Sequence, residues 1–211
     1  MRSLSITPYT DLVTLPILYL GTPGVGLRGI YTTIITGLGG VPRFHHTALI
    51  PQAQELLAAE ASERGKQVLL ICDEAHLLDA ECLEGIRCLG NMGMDQTAPF
   101  CLLLLGQPTL RHRLRRGAFT ALDQRIAVRY AIAGLSAKET TSYVQHHLAL
   151  AGRSDTLFSD DAIGLIHEVS RGLPRQVNNL AVASLIAAFA QDKAIVDESS
   201  ARAAVAEVSA E

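Results

Sequence analysis

Two runs of apolar residues, Val68-Leu69-Leu70-Ile71-Cys72 and Cys101-Leu102-Leu103-Leu104-Leu105, contain no polar position and are closed by polar ones. Continuous runs of this length predict strands of a parallel sheet covered on both faces. Between them, Asp79 to Met92 has helical spacing, with Leu83, Ile86 and Leu89 on one side. Strand, helix and strand then form a βαβ crossover. A third apolar stretch, Leu15 to Leu20, leads through Gly21 and Gly26 into Leu27–Leu38, where Ile30, Ile34 and Leu38 recur at helical spacing before Gly39-Gly40. A further helix is expected from about Pro51 to Arg64, ended by Gly65. A short strand is expected around Ala127 to Ile132, where Val128, Tyr130 and Ile132 alternate.

Near residue 134 the pattern becomes purely helical. Ser136-Ala137-Lys138-Glu139 is a capping box that opens a helix closed by Gly152. Ser159 caps a helix with Ala162, Leu165, Ile166 and Val169 on its apolar face, and Gly172 ends it. Pro174 starts another that runs through Ala190, and a last helix follows Asp197. The chain therefore divides into an α/β part, residues 1–134, and an all-helical part, residues 135–211.

Composition narrows the picture. With 48% hydrophobic and 5% aromatic residues, the core must be aliphatic. The net charge of −3 excludes a global polycation, so any contact with nucleic acid needs a local patch. No apolar stretch approaches the ~18 residues of a membrane span, and the first residues do not read as a secretory signal. Cys72, Cys82, Cys88 and Cys101 lack C-x-x-C spacing, and two lie in strand-like runs. Buried free thiols in a reducing compartment are expected, hence a cytoplasmic protein.

The chemistry concentrates in "VLLICDEAHLL", Val68 to Leu78. A buried strand that ends in Asp73-Glu74 puts two acids where open α/β sheets bind ligands. In nucleotide hydrolases the first acid holds Mg²⁺ through water and the second polarises the attacking water. The bland alternative is an acidic turn favoured by a helix dipole. Gly106-Gln107-Pro108 follows the next strand, so Gln107 would sit beside that tip. Arg125, in "ALDQRIAVRY", and Arg175, in the first turn of a helix where a cation opposes the dipole, are further candidates for phosphate. Each could instead pair with a nearby acid. The pairs His45-His46 and His146-His147 diverge and make poor metal sites. Arg111, Arg113, Arg115 and Arg116 read as a solvated face, with DNA phosphates as the alternative. Gly21 and Gly26 have the spacing of a phosphate loop, but Leu27 and Arg28 stand where it needs Lys and Ser/Thr.

Taken in order, DEAHLL, GQPTL, LDQRI and GLPRQVNNL resemble the AAA+ ATPases of the ExeA-type secretion and transposon-helper (TniB/TnsC-like) group, from about residue 24 to the end. The resemblance implies a P-loop NTPase-type parallel sheet followed by a small helical lid, with ATP and Mg²⁺ as cofactors. It implies Walker B roles for Asp73 (Mg²⁺, through water) and Glu74, and a sensor role for Gln107. Arg125 would reach a neighbouring subunit's nucleotide, and Arg175 would act from the lid. Such proteins assemble as homo-oligomers and work with a transposase on DNA or in assembling a secretion machine. Transposition is favoured here, because the chain ends at the lid and offers no membrane span. The segment around Leu18 to Gly26 then corresponds to the second strand of such a core. The phosphate loop itself is expected to be missing, through truncation or a displaced start. The alternative is a non-catalytic module that binds only protein or DNA.

Overall fold

The computed structural model describes residues 15–21, 23–90 and 99–208. They form two compact units that divide between Arg129 and Tyr130. In the first, three parallel strands, β1 (Ile17–Leu20), β2 (Val68–Cys72) and β3 (Phe100–Leu104), lie in that order. The register pairs Ile17 with Leu69 and Leu69 with Cys101. Helices α1 (Gly26–Gly37), α2 (His46–Ser62) and α3 (Ala80–Leu89) supply the crossovers. After β3 come α4 (Pro108–Leu114) and the short α5 (Thr120–Asp123).

One face of the sheet is a core. Leu18, Leu20, Val68, Leu70, Cys72 and Phe100 pack with Ile30, Tyr31, Ile34, Leu49, Leu57, Leu83 and Ile86 from the helices. The opposite face is open, against the expectation of cover on both sides: Ile17 is 61% exposed, Tyr19 57% and Leu103 42%. The described helices that join this core all pack on this one face, so among the described residues alternate positions of the outer strands stay exposed. Cys101 is on the open side and exposed, which corrects its reading as a buried thiol. Cys72 faces the core, where burial pushes its thiol up to about 12 and keeps it protonated and inert.

Two other expectations are corrected. The segment around Ala127 to Ile132 is not a strand: Val128, Tyr130 and Ile132 are all more than four-fifths exposed. Alternation gives strand propensity, but a strand forms only when an edge pairs with it, and no described strand does. Helix α2 begins at His46 rather than Pro51, with the proline inside it. The expected end of α3 at Met92 lies outside the described residues, as does the N-terminal stretch read as lacking a signal.

The second unit holds α6 (Ala137–Leu150), α7 (Asp160–Ser170), α8 (Pro174–Ala190) and α9 (Glu198–Val208). Its own core joins Val144, Phe158, Ile163, Ile166, Val177, Leu180 and Val196. The capping box at Ser136 and Glu139 is formed in both directions, and Ser159 accepts from Ala162 N–H. Gly172 has φ +70°, and a Cβ there would overlap the backbone of Leu135. Glycine therefore lets the end of α7 lie directly against the residues that enter α6. No described helix is long and apolar enough to cross a membrane.

Candidate functional site

The carboxyl ends of the three strands converge on Asp73 and Glu74. Asp73 N–H donates to Leu20 O at 2.9 Å, extending the β1–β2 ladder. Leu105 N–H donates to Cys72 O at 2.9 Å and Ala75 N–H to Leu105 O at 2.7 Å, extending the β2–β3 ladder. The Asp-Glu turn is thus bracketed by both neighbouring strands. Glu74 sits in the left-handed region, φ +49°, a conformation that non-glycine residues rarely adopt. This sharp turn ends the strand and presents both acids to solvent.

Each acid has a partner whose part the sequence pattern does not disclose. Tyr19, from β1, donates its hydroxyl to Asp73 Oδ2 at 2.7 Å, while Glu74 N–H donates to Oδ1 at 2.8 Å. The tyrosine bond first, and then the backbone bond, hold the Asp73 carboxyl below its ordinary range. The same contact pushes the Tyr19 phenol up. His76 Nδ1 lies 3.3 Å from Glu74 Oε2 and accepts Gln107 N–H at 3.4 Å, and its side chain is only 11% exposed. Gly106 permits this approach, since a Cβ there would stand 3.1 Å from His76 N and 3.4 Å from Nδ1. Arg113, on α4, donates to the carbonyl oxygens of His76 and Leu78 and so holds the turn to the next helix. The sequence signals for these three are slight. Tyr19 carries the one hydroxyl in an apolar run, His76 has no assigned role within the acidic motif, and Arg113 belongs by its neighbours to a solvated face.

Asp73, Glu74 and Gln107 are therefore brought together, with Gln107 exposed at the amino end of α4. Arg125 is not with them. It is exposed beside Gly90, at the far end of α3. That helix alone is ~15 Å long at 1.5 Å per residue. Among the described residues no acid forms an ion pair with it. Asp123 pairs with Arg129 at 2.9 Å, and Glu84, whose carboxyl is lowered by Arg87 first and with help from Arg125, pairs with Arg87. Arg175 belongs to the second unit, exposed in the first turn of α8.

The donor set suits half of a nucleotide site. Asp73 is a half-buried, anionic carboxylate with lone pairs left for metal-bound waters. A cage of three or more His, Cys, Asp or Glu is absent among the described residues. The loop after β1 fits phosphate poorly. Gly26 is left-handed at φ +64°, yet Leu27 offers no charge and the Arg28 guanidinium is taken by Phe44 O at 2.9 Å.

A family model described as an AAA domain matches residues 8–114, just over half of the chain. The chain belongs to the AAA domain family. General secretion pathway protein A of Aeromonas hydrophila is 36% identical over 127 residues, 60% of this chain and 23% of that protein. This chain thus spans less than a quarter of that relative. Among solved structures, the Aeropyrum pernix ORC2 protein in its ADPNP–ADP complexes superposes with a TM-score of 0.61 at 17% identity, over 92% of this chain and 52% of that one. Cdc6p of Pyrobaculum aerophilum gives 0.58 at 18% identity, over 87% and 50%. At such identities the structures speak for the fold alone: this family member has a P-loop NTPase-type AAA+ fold built on a parallel sheet.

Proposed function

We propose that this chain is a nucleotide-dependent AAA+ helper module that carries the metal-and-water half of an ATPase centre. The observation that carries the proposal is the convergence of Asp73, Glu74 and Gln107 at adjoining strand ends. Asp73 would hold Mg²⁺ through water, Glu74 would polarise the attacking water, and Gln107 would orient it or the terminal phosphate. Mg²⁺ would neutralise phosphate charge when bound. The distance of Arg125 from this group supports a role in trans, at the site of a second copy in a homo-oligomer. Residues 135–211 would form the lid, with Arg175 as its phosphate contact.

The phosphate-anchoring half is not supplied by Gly21–Arg28, so the 211-residue chain should turn over little ATP. The test is Mg²⁺-dependent phosphate release by the chain and by Glu74→Gln. Robust turnover that Glu74→Gln abolishes would restore Gly21–Arg28 as a working phosphate loop. Turnover equally fast in both proteins would remove Glu74 from the mechanism.

Two settings fit such a module, secretion-machine assembly and DNA transposition. Likeness to the secretion protein supports the first. A role beside a transposase on DNA is favoured by one observation, an arginine surface without partners on the element after Gln107.

A further inference from the structure

The arginines that follow β3 separate into one that holds the protein together and a group that faces water. Between Pro108 and Arg129 the chain carries six arginines and one acid, Asp123, although the net charge of the whole chain is −3. Arg113 points inward to the carbonyls of His76 and Leu78, with its guanidinium 5.6 Å from the centre of the Phe119 ring. Asp123 is taken by Arg129. Arg111, Arg115 and Arg116 are exposed and make no side-chain hydrogen bond or ion pair among the described residues. Elsewhere among the described residues four arginines pair with an acid, Arg64 on Glu60, Arg87 on Glu84, Arg153 on Asp155 and Arg202 on Glu198. Arg43, Arg171 and Arg175, which do not, are scattered singly along the chain.

Arg111 and Arg115 lie four apart, and so on one side of α4 and its cap, with Arg116 next in the chain. A helix dipole favours cations at a carboxyl end. It does not account for three of them left unpaired within six residues, one on the helix, one at its cap and one beyond it. The surroundings identify the kind of partner. Protein interfaces centre on apolar and aromatic anchors, and from Pro108 to Ala127, around the three arginines, no large hydrophobic residue is exposed; exposed ones resume only at Val128, twelve residues after Arg116. Gly117 adds open backbone, with nothing within 4 Å of a Cβ built there. Guanidinium forks, no apolar anchor and an unobstructed approach suit a phosphate backbone.

We propose that Arg111, Arg115 and Arg116 form a contact surface for the phosphate backbone of duplex DNA. This deepens the DNA-linked branch of the function proposed above, and it requires no nucleotide turnover. Because Arg113 ties α4 to the Asp73–Glu74 turn, bound DNA would bear on the element that also carries Gln107.

The test is fluorescence anisotropy of the full chain with a labelled 30-base-pair duplex, without nucleotide, over a salt series. The unmodified chain should bind with steep salt dependence. Combined Arg111→Ala, Arg115→Ala and Arg116→Ala should weaken binding at least tenfold at low salt. It should also flatten the log–log salt slope by about 2.7, roughly 0.9 for each phosphate no longer neutralised. The corresponding three lysine substitutions should keep most of the binding and control for folding. Arg153→Ala with Arg202→Ala, both paired on the second unit, should change little. Absence of salt-dependent binding by the unmodified chain would overturn the proposal, as would an alanine variant with unchanged affinity and slope. If the alanine variant no longer self-associated in light scattering while keeping its DNA affinity, the surface would belong to a protein interface. ATP turnover is measured separately, so DNA binding without hydrolysis sinks only the enzymatic reading.

Discussion

Glu74 carries both a proposed chemical role and a backbone conformation that suits glycine. A non-glycine residue in the left-handed region costs roughly 1–2 kcal/mol, part of which glycine returns as greater freedom in the unfolded chain. Glu74→Gly should therefore stabilise the protein by up to about 1 kcal/mol, seen as a higher urea midpoint at unchanged slope. Glu74→Gln keeps the strain and should leave the midpoint where it is. A destabilised glycine variant would mean that the carboxylate's contact with His76 outweighs the backbone cost. Tyr19 offers a second test at this scale. Its hydroxyl is the first cause of the low Asp73 pKa, so Tyr19→Phe should move the carboxyl titration upward, towards the ordinary range, in a ¹³C NMR experiment. The sign for stability follows. A depressed carboxylate stabilises the fold above its unfolded pKa of about 3.9, and that contribution is lost as pH falls through the lower folded value. Tyr19→Phe should narrow this acid window. The acids of this site are legible because a polar pair that ends an apolar run is a local signal. Tyr19 and His76 are not, because each acts on a residue that only strand register or a tight turn brings near.

At the level of elements, the capping residues are as informative in the structure as in the sequence. Ser136 accepts Glu139 N–H while the Glu139 carboxylate accepts Ser136 N–H. Ser136→Ala should cost about 1 kcal/mol in the stability of the helical unit, the usual effect of losing such a cap. Unchanged thermal and urea unfolding would show that α6 is held by its packed face alone. Asp197 caps α9 through Ser200 N–H and also accepts from Lys193, and its carboxyl is held well below the usual range, the lysine contact being the first cause. The helical unit should therefore keep this contribution down to about pH 4 and lose it only under more acidic conditions. Asp197→Asn should flatten that acid limb in a pH series of thermal melts. Helices are legible because their period, caps and stops lie within one stretch of chain. The Ala127–Ile132 alternation misleads because its completion depends on an edge elsewhere. Pro51 resembles a first helical residue, yet α2 starts at His46: a proline's fixed φ suits a helix but does not say on which side the helix extends.

For the whole molecule, the parallel sheet, its crossovers and the helical half can be read from the chain, whereas the uneven covering of the sheet cannot. An uninterrupted apolar strand looks the same whether one face or both are packed, since the pattern records hydrophobicity and not neighbours. Here Leu18 is in the core while Ile17, the adjacent residue, is largely exposed. With Tyr19, Cys101 and Leu103, Ile17 lies on an apolar face in contact with water. Contiguous patches of this kind favour association. Two substitutions on adjacent residues of one strand separate the faces. Leu18→Lys buries an ammonium group without a partner and should prevent cooperative folding. Ile17→Lys should change stability by no more than about 0.5 kcal/mol, as at an ordinary surface position, and should reduce concentration-dependent association in light scattering. If Ile17→Lys instead cost more than about 2 kcal/mol, the scale of burying an unpaired charge, this face would be covered in solution. Association unaltered by the lysine would place the self-associating surface elsewhere on the protein.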